Sequence, residues 1–172
     1  MKTIVVLGMH RSSTSLVART LNNEVHMGEH LLVGLSDNPK GHYENVDILK
    51  INHKILYQSG GSWHNPPPRE KIIEVGQKFE EDIKAIIYKE IELAKSKNME
   101  SWGFKDPRTS LTIDVWYKYI PNPQFVVCYR NAKDIAISLQ KRNGFSLEKG
   151  MELTNEYYRR ISEFLEKFYA EH

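Results

Sequence analysis

Residues 2–21 read KTIVVLGMHRSSTSLVARTL, and the fold turns on how that stretch divides. Thr3 to Leu7 is a short apolar run rich in β-branched side chains, the composition of a parallel strand buried on both faces. Gly8 ends it. Ser12, Ser13, Thr14 and Ser15 then lead into a helix that carries Leu16, Val17, Thr20 and Leu21 at helical spacing. A strand that turns sharply into a helix aims free backbone N–H groups and the positive end of the helix dipole at one point, where an anion binds, phosphate above all. Arg11 adds a fixed positive charge in the turn, and the hydroxyls add donors. The same residues also read as an ordinary strand, turn and polar-capped helix.

Comparison with the phosphate-binding loop G-x-x-x-x-G-K-[ST] is informative through its mismatch. Counting from Gly8, the second glycine is replaced by Ser13 and the lysine by Thr14, and only Ser15 agrees. A loop without that lysine is a poor candidate for hydrolysing ATP with magnesium, yet it retains what a phosphate cradle needs.

The 172 residues suit one domain with a real core, and 40% hydrophobic with 27% charged residues is ordinary globular composition. The net charge of +2 comes from dispersed basic residues, so no nucleic-acid-binding stripe is expected. No apolar run is long enough to span a membrane, and the N-terminus carries no secretion-like pattern. A single cysteine, Cys128, rules out an intrachain disulfide and fits a reducing cytoplasm; within the run 125–129 it reads as a small core residue.

Residues 22–41 read as irregular. His26, Glu29 and His30 there spell H-x-x-E-H, the order of an inverted zinc-peptidase motif, but Gly28 and the loop-like surroundings argue against the helix such a site needs, and no metal is expected. The turn cluster 37–45 leads into a helix over 46–58 with Ile48, Leu49, Ile51, Ile55 and Leu56 inward. SGGSWHNPPP, residues 59–68, is a break that no regular element crosses, read as a flexible surface loop or lid. The periodicity over 70–97 predicts one long amphipathic helix.

Residues 101–105 read as a second strand, with Asp106 as N-cap and Pro107 opening a helix. Residues 124–129 read as a third, followed by a helix from Ala132 to about Arg142. Leu147, Met151, Thr154, Tyr158, Ile161, Leu165 and Phe168 form a final helical stripe, read as core packing, with a homodimer seam as the alternative. Strands alternating with helices imply an α/β layer fold with a parallel sheet, whose ligands sit at the carboxyl ends of strands. Arg11, Lys105 and Arg130 all lie there. Three cations on one edge of a nearly neutral chain point to a ligand with several anionic groups.

GMHRSSTSLVARTL, DNPKGHYEN, GFKDPRTS and YRNAKDIAISLQKRNGFSLEKG together resemble the sulfotransferases that use 3′-phosphoadenosine 5′-phosphosulfate (PAPS), most nearly the bacterial branch with H-R-S-G-T-S and K-D-P-R segments. The likeness runs from about residue 3 to about 168. It implies a three-layer P-loop-like fold, a small parallel sheet flanked by helices, in one domain over residues 1–172. It also implies transfer of a sulfuryl group from PAPS to a hydroxyl or amine of a small-molecule, carbohydrate or lipid-like acceptor, with no metal. Arg130 and Ser138 resemble the family's 3′-phosphate-binding segment, and Arg11 to Ser15 its 5′-phosphosulfate loop. An arginine at a strand end and a serine about 10 Å up the following helix can meet one phosphate. Alone, each has a plainer reading: a serine bonded to the carbonyl of Asp134, and an arginine in a salt bridge.

Within that resemblance Arg11 takes the position where many members have lysine, against the bridging or 5′-phosphate oxygens; His10 and Ser12, Ser13, Thr14 and Ser15 supply ligand contacts, and Lys105 and Arg108 line the same cleft. Many members place a histidine base just after the position of Lys105, but Asp106 stands there. Glu44, in GHYEN, is the first candidate for the base and His42 the second; Glu44 also reads as a first-turn glutamate answering a helix dipole. Two departures stand out: Ser13 replaces a glycine of the first loop, and the resemblance implies a further strand and helices beyond the region that ends at His172. A P-loop nucleotide or small-molecule kinase, with Asp106 as its magnesium-binding acid, and a non-catalytic nucleotide-binding relic are the alternatives.

Overall fold

The structure is a computed structural model that describes residues 1–29, 31–32 and 41–171. Of the resemblance segments, residues 37–40 of DNPKGHYEN lie outside the described residues, as does His30 of the H-x-x-E-H motif.

Three parallel strands, β1 (Lys2–Gly8), β2 (Ser101–Lys105) and β3 (Pro123–Cys128), form a sheet in the order β2-β1-β3. The registers Val6↔Lys105 and Gly8↔Cys128 bring the three carboxyl ends to one edge. Side chains of β1 alternate between the faces, as strand pleating demands. Val5 and Leu7 join the main core, whereas Val6 joins a smaller cluster with Ala18, Val25, Met27 and Cys128. Ala18 lies on α1 (Thr14–Leu21), which covers that second face.

The main core is closed by α2 (Val46–Gln58), α3 (Arg69–Gly76), α4 (Glu80–Ser96), α5 (Thr109–Trp116), α6 (Ala132–Asn143) and α7 (Leu147–Glu171). This is an α/β fold with a small open parallel sheet flanked by helices, consistent with a P-loop-like sulfotransferase fold.

The expected helix over 70–97 is broken. A 3₁₀ turn at Gln77–Phe79 separates α3 from α4. The backbone leaves helical geometry at Phe79, φ −107° and ψ 10°, while Gly76, still helical, packs so close to α5 that an added Cβ would stand 2.4 Å from Val115. The terminal stripe is also displaced. Gly150, Leu153, Thr154, Tyr157, Arg160, Ile161, Phe164 and Phe168 face inward, while Leu147 and Met151 are exposed. On α1, Leu16 is exposed and Ala18 is buried.

Loop 59–68 is docked on the body. Tyr157 Oη donates to the Trp63 carbonyl at 2.9 Å and Arg160 Nη2 to the Pro67 carbonyl at 2.8 Å. Cys128 is buried, and burial pushes its thiol up, away from a reactive thiolate.

The helix after β2 begins at Thr109, two residues later than expected, and Asp106 is not its formal cap. Asp106 is fully buried beneath Asn52, whose amide donates to Asp106 Oδ2 and Thr109 Oγ1, both at 2.9 Å. Asn52 Oδ1 in turn accepts from Thr112 Oγ1 and Trp116 Nε1, both at 2.7 Å. One side chain thus saturates its hydrogen-bonding capacity and ties α2 to the β2–α5 turn. Asn52→Ala strands several buried groups at once. Urea denaturation should show a loss of about 3 kcal/mol or more, against less than about 0.5 kcal/mol for Asn65→Ala in the exposed loop.

Candidate active site

The strand that fills the middle of the sheet ends at Gly8, whose N–H donates to Ser110 Oγ at 2.9 Å and whose carbonyl accepts from the same hydroxyl at 3.1 Å. A Cβ there would lie 2.8 Å from both Ser12 Oγ and Thr14 Cγ2, so the loop folds back over a bare backbone. Ser12 is turned inward, its hydroxyl donating to the Met9 carbonyl at 2.6 Å. Arg11 and Ser13 on either side of it adopt left-handed conformations, φ 69° and 70°. Ser13 therefore occupies a backbone state that glycine takes without strain. Left-handed residues beside a helix start turn successive N–H groups toward one concavity.

The loop is joined to β3 and α6 through two arginines, its own Arg11 and Arg130 from the far side. Arg11 Nε donates to Ser138 Oγ of α6 at 2.8 Å, and Arg130 Nη1 donates to the Arg11 carbonyl at 3.0 Å. Arg130 and Ser138 were expected to face one phosphate together; they are joined through Arg11, which both of them touch. Asn131 caps α6 by accepting from Lys133 N at 2.9 Å, and Tyr158 Oη is held between the N–H and carbonyl of Arg130.

Lys105, the last residue of β2, is 1% exposed. Its ammonium donates to Glu44 Oε1 at 2.9 Å and to Ser15 Oγ at 3.1 Å. The other oxygen of Glu44 lies 3.5 Å from Arg108 Nη1, which donates to Asp106 Oδ1 at 2.7 Å. Burial works against the Arg108 charge, but Asp106 and Glu44 more than offset it and hold the proton more tightly than usual.

These groups line a cleft of about 210 Å³. Of the residues singled out from sequence, His10, Arg11, Ser13, Thr14, Ser15, His42, Glu44, Lys105 and Arg130 all border it, with Pro107 and Arg142 in addition. Ser12 is buried and donates to the Met9 carbonyl, while Ser138, half-buried, accepts from Arg11 Nε at the edge of the cleft. Four cationic side chains face one carboxylate, Glu44, among the described lining residues. The cleft is built for a polyanion.

A second cavity of about 330 Å³ adjoins it, sharing His10, His42, Glu44 and Arg142 and adding Leu32, Leu49, Trp63, Arg108 and Asn143. Arg142 and Trp63 escaped sequence reasoning. In QKRNG an arginine at a helix end reads as a partner of the helix dipole. Trp63 sat among turn residues, and its isolation between glycines and prolines was the only signal. In the structure Arg142 lies over the Trp63 ring at 5.4 Å.

No group of three or more His, Cys, Asp or Glu side chains suited to a metal ion occurs among the described residues. His26, of the H-x-x-E-H motif, spends its Nε2 on Glu90 at 2.9 Å.

His10 sits between the two cavities with its ring 4.3 Å from that of Trp63 and no partner on its buried Nε2. Burial first, then Arg108, Arg142 and Lys105, lower its pKa well below 6.5, so the imidazole is neutral at neutral pH. The folded protein then binds fewer protons at this site than the unfolded chain. Stability from His10 is intact above pH 6.5 and is lost as the pH falls from there toward the folded pKa. Urea midpoints at pH 7.5 and 5.0 should differ less in His10→Gln than in the wild type.

The Sulfotransferase family model matches residues 3–172. No curated protein and no solved structure matches the chain. With the match running through all three strand ends and every element that borders the cleft, this chain belongs to the sulfotransferase family.

Proposed function

We propose that the protein transfers a sulfuryl group from PAPS to a hydroxyl or amine of an acceptor held in the second cavity. The observation that carries this reading is the convergence of Arg11, Lys105, Arg130 and Arg142 on one cleft beside Glu44, the one carboxylate among the described lining residues. A nucleotide with a 3′-phosphate and a 5′-phosphosulfate matches that charge. Arg130 and Ser138 take the 3′-phosphate, and the loop Arg11–Ser15 takes the 5′-phosphosulfate. His10, neutral, completes the loop's ligand contacts.

In the reaction the acceptor oxygen bonds to sulfur while the bond from sulfur to the bridging phosphate oxygen breaks. The electron pair goes to that oxygen, giving adenosine 3′,5′-bisphosphate. Arg11 and Lys105 stabilise the charge that develops there, work that cations and backbone N–H groups perform as they do in phosphoryl transfer. The hydroxyl proton passes to Glu44, which borders both cavities, with His42 as the second candidate. The kinase reading fits less well. Asp106, its magnesium-binding acid, is fully buried and gives its oxygens to Asn52 and Arg108.

Calorimetry without magnesium should detect binding of adenosine 3′,5′-bisphosphate. Arg130→Ala should weaken it about 10-fold or more, and weaken adenosine 5′-phosphate much less, since a charge-assisted contact contributes about 1.5–3 kcal/mol. Equal losses for the two ligands would remove the 3′-phosphate assignment. Arg11→Ala should lower turnover far more than bisphosphate affinity, as expected of a contact that strengthens in the transition state. Glu44→Gln should cut turnover by about 10²–10⁴ and leave nucleotide binding intact; unchanged turnover would transfer the role to His42.

A further inference from the structure

A buried polar cluster lies behind the site and takes no part in the chemistry above. Glu90 of α4, 1% exposed, accepts from Asn45 Nδ2 at 2.8 Å through Oε1. Its Oε2 lies 2.9 Å from Nε2 of His26, itself 4% exposed. As a carboxylate only accepts, His26 Nε2 carries the hydrogen when Glu90 is ionised. Asn45 is the residue after Glu44. Its Oδ1 accepts from Asp47 N at 3.0 Å and Ile48 N at 3.3 Å, so the same amide caps α2 with one end and grips Glu90 with the other.

The other end of the cluster is fixed to the strand that carries Lys105. His26 N donates to the Ser101 carbonyl at 3.1 Å, and Gly103 N donates to the His26 carbonyl at 2.9 Å. A glycine permits the approach: a Cβ on Gly28 would stand 2.7 Å from Asn45 Nδ2. The chain reaches Glu44 through Tyr43 in a left-handed conformation, and the Glu44 carbonyl accepts from Leu32 N at 2.8 Å. Glu44 thus projects from a helix cap that is tied, through Glu90 and His26, to β2 two residues before Lys105.

We infer that His26, Glu90 and Asn45 form a positioning network that sets the Glu44 carboxylate at contact distance from Lys105 and the reacting hydroxyl, so that proton removal depends on three residues that touch no substrate. This rests on Glu44 being the base. A cap alone needs no buried carboxylate, since serine caps a helix as well as asparagine does. The amide end of Asn45, and the burial of a glutamate and a histidine to meet it, are surplus to capping and fall on the residue beside the base.

The test uses water as the acceptor, so that no acceptor need be known. Water's oxygen bonds to sulfur, the bond from sulfur to the phosphate oxygen breaks, and the water proton goes to Glu44, yielding sulfate and the bisphosphate. Asn45→Ser keeps a capping oxygen and deletes the link to Glu90; Glu90→Gln removes the buried charge. Sulfate released from ³⁵S-labelled PAPS should fall 10-fold or more in both variants, with bisphosphate affinity by calorimetry within twofold of wild type. Added imidazole, a small diffusible base, should restore part of the rate in Asn45→Ser and in Glu44→Gln without accelerating the wild type. An undiminished rate in Asn45→Ser overturns the inference. A loss that imidazole does not rescue, or one accompanied by lost bisphosphate binding, also overturns it and leaves the network a purely structural tie. A wild type that binds bisphosphate, but whose sulfate release is at the buffer rate or is unaffected by Glu44→Gln, overturns the role of Glu44 and the network's role with it. Absent bisphosphate binding instead removes the donor assignment.

Discussion

An ammonium group at the end of a strand with almost no access to water is the constraint that the site answers. Lys105 is carried inward by the register of β2 against β1, and its charge has to be met inside the protein. Glu44 and Ser15 meet it. A buried ion pair of this kind contributes little net stability, because desolvation of both ions offsets much of their attraction. Its value lies in what it forces: Glu44 must arrive from a distant loop, Ser15 must start α1 at the right height, and Arg108 must take the second carboxylate oxygen. Asn52 and Asp106 then fix Arg108 from below.

The first loop shows a complementary arrangement on the exposed side. Arg11 is at once a left-handed backbone residue, a donor to Ser138 and an acceptor, through its carbonyl, from Arg130. The end of β1, the middle of α6 and the end of β3 are therefore joined through a single residue. With Ser13 in place of glycine, the loop keeps a conformation that costs about 1 kcal/mol or more for a side-chain-bearing residue. The surrounding contacts hold it there. This division keeps Lys105 and Glu44 buried, and leaves Arg11 and Arg130 on the more open rim.

Much of this arrangement was legible in the chain itself. Residues 2–8 announce a buried strand because β-branched side chains fill both faces, and α2 falls at 46–58 as its periodicity requires. Cations placed just after three strands follow from topology alone, since parallel strands bring like ends together. What periodicity could not reveal depends on contacts between distant segments. The helix over 70–97 is interrupted at Phe79, and nothing in the apolar spacing of 70–97 marks that position. The stripe of α7 was misplaced in part because buried Arg160 counts as polar in any hydropathy pattern, yet bonds to the Pro67 carbonyl. His26 and Glu90 are 64 residues apart, and only the fold makes them a pair. The roles of Arg142 and Trp63 likewise arise where a helix end and a docked loop meet.

Gly150 has a further bearing on how such a protein can change. It lies against α6 so closely that an added Cβ would come within 2.7 Å of the Ala136 Cα, so these two helices touch backbone to backbone. A seam made of long side chains can be retuned by swapping rotamers; one made of main chain has no such slack. Ser138 and Arg142 ride on α6, and Arg130 precedes it. Position 150 therefore behaves as a common hinge pin for side chains that face two different cavities. Drift elsewhere on the surface can alter one cavity and spare its neighbour, but a larger residue at this pin would shift both together, which ties the evolution of one cavity to that of the other.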